Sequence, residues 1–337
     1  MEKTAAFPIF QRLWISRFRP LLIFHHPESV KVLLKTTEPK PRAPGTVYVI
    51  GLPWLGEGLL IANGDHWARN RRLLTPAFHF DILQPYTLVY NQAVDILVEK
   101  LDQFAESGKS FELFSVIGML SLDVILRCAF SYKSDCQILG VAEEIIQKRR
   151  ETLEREGLPN KSSGRQSRYL DFLDILLTAK DENNQGLTPL EIRNEVDTFL
   201  FEGEFKDMMK CHFKFVVMIL QLVPSAGQSI HCVKTKIIRP EYRQRRDLQC
   251  LDYLTLCIKE GMRFHSPVSF IQRETTKELF IEEKVIPAGT IIAVNIYNLH
   301  HNPMIWENPL EFQPDRFLPE NSVNRDSYTF IPFSAGP

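Results

Sequence analysis

The sequence predicts a mainly α-helical protein with a small β-sheet region. Apolar residues recur at helical spacing through the first two thirds of the chain. A complete helix-start signal stands at Thr188–Glu191. After about residue 266 the pattern changes to short β-prone pieces broken by turn residues.

Taken in order, Val94, Leu97, Leu101 and Phe104 repeat at spacings of three and four ahead of Gly108, a residue suited to end a helix in the left-handed region. "AEEIIQKRRETLERE" predicts a short charged helix, and "GLPNKSSGRQSR" at 157–168 is the most linker-like stretch. Thr188-Pro189-Leu190-Glu191 reads as a capping box with proline at the first helical position, so a helix starts there and runs past Val196, Phe199 and Leu200. "VSFIQRETT" and "ELFIEEKVIPAGTIIAVNIYNLH" read as strands, with "VIPAG" the tight turn between two strands of a hairpin. "HNPMIWENPLEF" reads as coil.

Composition limits the function classes. The chain has 337 residues, 44% hydrophobic and 24% charged, ordinary for a globular protein with a large core. A formal net charge of -1, with no long basic block, argues against nucleic acid as a partner. Cys128, Cys136, Cys211, Cys232, Cys250 and Cys257 form no C-x-x-C pair, which fits a reduced environment; Cys128 and Cys257 sit in apolar helical settings and read as packing residues. "MEKTAAFPIFQRLW" lacks an apolar signal region, and runs such as "FVVMILQLV" are too short to cross a bilayer. Neither G-x-G-x-x-G nor a phosphate loop is present, so nucleotide binding has no support. His300 and His301 are expected to point apart on a strand, as core or surface histidines rather than metal ligands, and His66 and His79 read as structural.

Three motifs could carry chemistry. Trp67 and Arg71 lie four apart, placing an indole N–H and a guanidinium on one helical face, a donor pair suited to a carboxylate; a basic helix with a buried tryptophan is the plainer alternative. Glu260 and Arg263 form the only Glu-x-x-Arg of the chain, able to bond within a helix while the arginine fork reaches a third group; an ordinary surface ion pair is the alternative. Arg316, enclosed by Phe312, Pro314 and Phe317, is expected to be partly buried and to need a partner, for which Glu260 is a candidate.

The order of these motifs resembles the cytochrome P450 family of haem-thiolate monooxygenases: Trp-x-x-x-Arg, a capped helix containing "FEG", Glu-x-x-Arg followed by Arg273, Pro-x-Arg-Phe, then "PFSAGP". "VKVLLKTTEPKPRAP", "WARNRRLLTPAFHFDILQPY", "LDVILRCAFSYKSDCQ", "EVDTFLFEG" and "FIPFSAGP" are similar to its fatty-acid ω-hydroxylase branch, family 4-like, with the resemblance covering roughly 13–137, 169–203 and 249–337. It implies the cytochrome P450 fold as a single domain over 1–337 that lacks the membrane anchor, much of the lid region and the C-terminal haem-ligand loop.

By the same resemblance, Trp67 and Arg71 hold one haem propionate and Arg273 another, while Phe333 and Gly336 open the haem loop. Glu260, Arg263 and Arg316 match the Glu-Arg-Arg triad on the proximal side of the haem, and Glu202 the glutamate that can bond covalently to a haem methyl. The implied cofactor is haem b, with electrons from NADPH through cytochrome P450 reductase. The implied chemistry is oxygen insertion into an unactivated C–H bond of a lipid-like substrate, with a thiolate pushing electron density toward O–O cleavage. The implied place is the cytosolic face of the endoplasmic reticulum membrane.

Two departures stand out. Phe205 and Lys206 occupy the positions of the acid and threonine of proton delivery, so no catalytic residue is assigned. In the loop pattern F-x-x-G-x-R-x-C-x-G, the ligand cysteine is expected three residues past Pro337, so no metal ligand is assigned. A truncated chain of an active monooxygenase is one expectation; a non-catalytic remnant or splice form that cannot hold haem is the other.

Overall fold

Short-range sequence signals set several helix ends, while the partners of the central strand come from far apart in the chain. The computed structural model describes residues 10–16, 19–108, 110, 112–132, 141–156, 170–204, 252–281 and 284–335. β1 (Phe10–Ser16) and β2 (Arg19–Phe24) are followed by α1 (Pro27–Lys35), α2 (Val47–Leu55), α3 (Gly64–Leu74) and the short α4 (Phe80–Leu83). Then come α5 (Tyr86–Ser107), α6 (Leu113–Ala129), α7 (Val141–Glu156), α8 (Phe172–Thr178) and α9 (Pro189–Glu204). The last part holds α10 (Asp252–Phe264), β3 (Phe270–Glu274), β4 (Leu279–Ile281), β5 (Lys284–Ile286), β6 (Ile291–Asn295), α11 (Ile296–His300), a 3-10 turn at Pro314–Phe317 and α12 (Pro319–Ser322).

The expected helix signals act as written. α5 ends at Gly108, whose φ of 63° only glycine adopts without cost. At the start of α9 the Glu191 N–H donates to Thr188 Oγ1 at 3.3 Å and Thr188 N–H donates to Glu191 Oε2 at 2.7 Å, a reciprocal capping box. A second box, Asp171 with Asp174, starts α8. The linker-like 157–168 stretch lies outside the described residues.

The described residues up to Ile50 and from Asp252 onward form one compact unit. Its four-stranded sheet runs in the order β1-β2-β6-β3. β2 lies parallel to β6, with Leu21–Phe24 opposite Ile291–Val294, and the other pairs are antiparallel. Ile291, Ile292, Ala293 and Val294 are all buried, the unbroken apolar run expected of a strand covered on both faces. Phe24, Val30, Leu33, Val294, Leu299 and Ile331 form the main core of this unit.

One expectation fails here. "VIPAG" does not join two strands of a hairpin: β5 pairs with β4 in a separate two-stranded sheet, and β6 pairs with β2 and β3. The turn is held by Thr275, which donates its Oγ1 hydrogen to Pro287 O at 2.7 Å and accepts from Gly289 N and Thr290 N at 2.7 and 2.9 Å. A threonine outside the turn therefore redirects the chain from one sheet to the other.

The described residues from Gly51 to Glu204 form the second unit. Leu74, Leu126, Ile145, Leu173, Leu176 and Val196, drawn from α3, α6, α7, α8 and α9, are its innermost side chains. Phe172 packs against Phe199 at 4.1 Å and edge-on to Phe130 at 5.9 Å. α7, strongly charged by sequence, nevertheless buries Arg149, whose Nε and Nη2 donate to Asp174 Oδ1 and Oδ2 at 2.6 and 2.5 Å. A bidentate partner is what lets a guanidinium stay in a core.

Candidate functional site

In the first unit, α10 brings the Glu-x-x-Arg pair inside. Glu260 and Arg263 are both 0% exposed and Arg316 is 9% exposed, so the surface-pair alternative is excluded. Arg263 donates through Nε and Nη2 to Glu260 Oε2 and Oε1, both at 2.7 Å. Arg316, on the 3-10 turn, donates through Nε to Glu260 Oε1 at 3.1 Å, and Gln313 N donates to the same oxygen at 2.9 Å, the fourth bond to the carboxylate. The free end of the Arg263 fork reaches His300 O at 2.7 Å and Pro309 O at 3.0 Å. Arg316 Nη1 reaches Glu307 O at 3.0 Å. The two arginines thereby satisfy carbonyls of the irregular 307–311 stretch, which supplies no ladder of its own.

No local sequence signal marks what surrounds this network. Trp306, 1% exposed, donates its indole N–H to Leu299 O at 3.2 Å, and the guanidinium carbons of Arg263 and Arg325 lie 5.3 and 4.6 Å from its ring centre. Arg325 also donates to Arg316 O at 2.6 Å. His300 and His301 are not on a strand. His300 closes α11 and His301 follows it, both buried, and burial first of all pushes the imidazoles down to about 3 and about 4. Such histidines are neutral packing groups, and among the described residues there is no cluster able to hold a metal ion.

Arg273 stands on β3 beside a pocket of about 280 Å³ that is lined by Leu33, Leu34, Ile271, Val294 and the Phe333–Ala335 segment. Its Nη1 donates to Gln272 O at 2.8 Å and Tyr48 Oη at 3.4 Å, leaving the rest of the fork without a partner among the described residues. Phe333 is exposed, and the segment turns back through a bond from Ser334 N to Ile331 O at 2.9 Å. A cation at the edge of such a pocket suits a carboxylate. Gly336 lies outside the described residues.

In the second unit, α3 carries Trp67 half-buried and Arg71 exposed, four residues apart on one helical face. Contacts without a local sequence signal hold this helix: Arg69 donates to Asp181 Oδ2 at 2.8 Å, Gly186 O at 2.9 Å and Glu191 Oε1 at 3.2 Å. Asn70 donates to Glu195 Oε1 at 3.2 Å, and Leu59 N to Glu195 Oε2 at 3.0 Å. Glu191 and Glu195 are one turn apart on α9, so α3 is clamped to the helix that carries Glu202 on its last turn. His66 joins the clamp, 3.7 Å from Glu191 through Nδ1, and His79 caps α4 by accepting from Asp81 N, both structural roles as expected. The Glu202 side chain, and Phe205 and Lys206 altogether, lie outside the described residues.

The cysteines complete the chemistry. Burial pushes the thiol of Cys128, in α6, up to about 12 and that of Cys257, in α10, up to about 11. Both are helix packing residues, as their settings suggest, and neither has thiolate character. Cys136, Cys211, Cys232 and Cys250 lie outside the described residues. Among the described residues no helix is long and apolar enough to cross a membrane.

Comparison with known proteins decides the family. The family model described as Cytochrome P450 matches residues 6–138 and 131–337. The chain belongs to the cytochrome P450 family. Its relatives include the human "Ultra-long-chain fatty acid omega-hydroxylase", 33% identical over 96% of this chain and 71% of that protein. Human "Cytochrome P450 4F2" is 32% identical over 100% of this chain and 74% of its own length, and mouse "Leukotriene-B4 omega-hydroxylase 3" 32% over 96% and 72%. Cytochromes P450 are monooxygenases, oxidoreductases that use haem iron and reductase-supplied electrons, and the helix-rich architecture with a small mixed sheet agrees with that fold.

Proposed function

We propose that this cytochrome P450 hydroxylates fatty acids or similar long apolar substrates, with electrons from NADPH delivered by cytochrome P450 reductase at the cytosolic face of the endoplasmic reticulum membrane. The observation that carries the reading is likeness to relatives named as ω-hydroxylases along nearly the whole chain, combined with a buried Glu260–Arg263–Arg316 network in the unit that also holds Arg273 and Phe333.

Trp67, Arg71 and Arg273 would hold the two haem carboxylates. Trp67 offers a half-buried indole and Arg71 an exposed guanidinium on α3, and Arg273 a partly engaged guanidinium on β3; each donor suits a carboxylate. Glu202, on the last turn of α9, stands at the position of the glutamate that in this family would carry a covalent link to the haem. Haem with a thiolate ligand supplies activation of dioxygen for insertion into a C–H bond. The chain's own residues would bind and orient: Arg71 and Arg273 would each neutralise a carboxylate, and Leu33, Leu34, Ile271 and Val294 line the pocket beside Arg273.

A non-catalytic form that cannot hold haem is the second reading; Phe205 and Lys206 at the proton-delivery positions bear on its lack of catalysis. The test is purification with haem, the carbon monoxide difference spectrum of the reduced protein, and product analysis with reductase, NADPH and a long-chain fatty acid. With the ligand cysteine expected three residues past Pro337 included in the protein, a thiolate-type Soret band and a hydroxylated product are expected under the first reading. A folded protein with neither establishes the second.

A further inference from the structure

The histidine that closes α11 meets three different parts of its unit. Its carbonyl accepts from Arg263 Nη1 at 2.7 Å. Its Nδ1 lies 2.8 Å from Ser266 Oγ, two residues past the end of α10. Its Nε2 accepts the Ile331 N–H at 3.0 Å, and its ring stacks on Phe330 at 5.4 Å. A backbone N–H can only donate, so Nε2 offers its lone pair and the single ring proton sits on Nδ1, directed at Ser266 Oγ. The imidazole is 0% exposed and faces His301 and the Arg263 guanidinium, which both oppose a second proton.

We propose that His300 is a positioning residue that ties the Glu260–Arg263–Arg316 network to the chain entering the Phe333–Ala335 segment. This rests on the proposed role of Phe333 at the haem loop. Ile331 is only two residues from Phe333, a reach of about 7 Å, so its amide sets where the segment leaves the core. The turn from Ser334 N back to Ile331 O passes that constraint on to the pocket wall beside Arg273. Few other side chains would serve as well: the site requires an acceptor toward Ile331, a donor toward Ser266 and a flat apolar face toward Phe330, without a net charge.

Hydrogen exchange read by mass spectrometry on the full chain tests this. His300→Phe keeps the ring stack and removes both nitrogens, and is expected to speed exchange of the Ile331 amide about three- to tenfold, leaving β3 and β6 unchanged. His300→Gln restores an acceptor and is expected to return most of the protection. Ser266→Ala frees the ring without emptying its site and is expected to raise exchange at Ile331 by about threefold, so the test holds even if His300→Phe fails to fold. Unchanged exchange at Ile331 in folded variants overturns the proposal. Hemin titration of the same proteins separates the two levels: no hemin uptake by the parent chain counts against the proposed function, whereas the exchange result bears on His300 alone.

Discussion

Replacing Glu260 by glutamine tests the central network, because it removes one charge and almost no volume. The Glu260 carboxylate is fully buried and accepts four bonds, from Arg263 Nε and Nη2, Arg316 Nε and Gln313 N. In Glu260→Gln one oxygen becomes an NH₂ that confronts a guanidinium, and two buried cations keep only carbonyls for company. Breaking a buried pair from one side costs about 3–5 kcal/mol, a large part of the roughly 5–15 kcal/mol that holds a domain folded. Urea unfolding followed by circular dichroism should show a midpoint lowered by about 1 M or more. The double variant Glu260→Gln with Arg316→Met should recover part of the loss, since one stranded charge is gone. A midpoint for Glu260→Gln within about 0.3 M of the parent would refute the view that this carboxylate is the anchor.

Further outcomes follow from the same geometry. Arg71→Leu, at an exposed position, is expected to leave stability unchanged and weaken hemin binding about tenfold by titration at the Soret band. Gly58→Ala would place a Cβ 2.3 Å from Thr198 Oγ1 and 2.7 Å from the backbone oxygen of Asn194, and should destabilise by about 1–3 kcal/mol in thermal unfolding. Burial, with Asp174 beside it, raises Asp171 from 3.8 to about 6, so the folded form binds its proton more readily. That contribution to stability is full below 3.8 and is lost as pH rises through about 6; Asp171→Asn should therefore gain about 3 kcal/mol relative to the parent at pH 7.5 compared with pH 3.5. His300, lowered from 6.5 to about 3, has the opposite sign: its share is full above 6.5 and falls as pH drops toward 3, so His300→Gln should flatten the loss of stability between those limits in urea titrations.

Much of the site was legible because its parts are local. Glu260 and Arg263 are one turn apart, Trp67 and Arg71 one turn apart, and Thr188 and Glu191 close a box within four residues, so spacing alone placed each pair on a common face. The enclosure of Arg316 by Phe312, Pro314 and Phe317 pointed to burial and thus to a partner, and Glu260 is that partner. Nothing comparable marked Arg69 or His300, since their partners lie 112 residues away at Asp181 and 31 away at Ile331.

What the sequence determined by itself was therefore the helix starts, the helix ends and the short-range charge pairs, because these depend on interactions within a turn or two. Long-range packing settled the partners of the central strand and the course of the connectors. β2 lies beside β6 although Leu21 and Ile291 are distant in the chain, and "VIPAG" leads to a different sheet because Thr275 grips it. A strand's own residues specify its two faces but not its neighbour, and a buried donor specifies that it needs an acceptor but not which one.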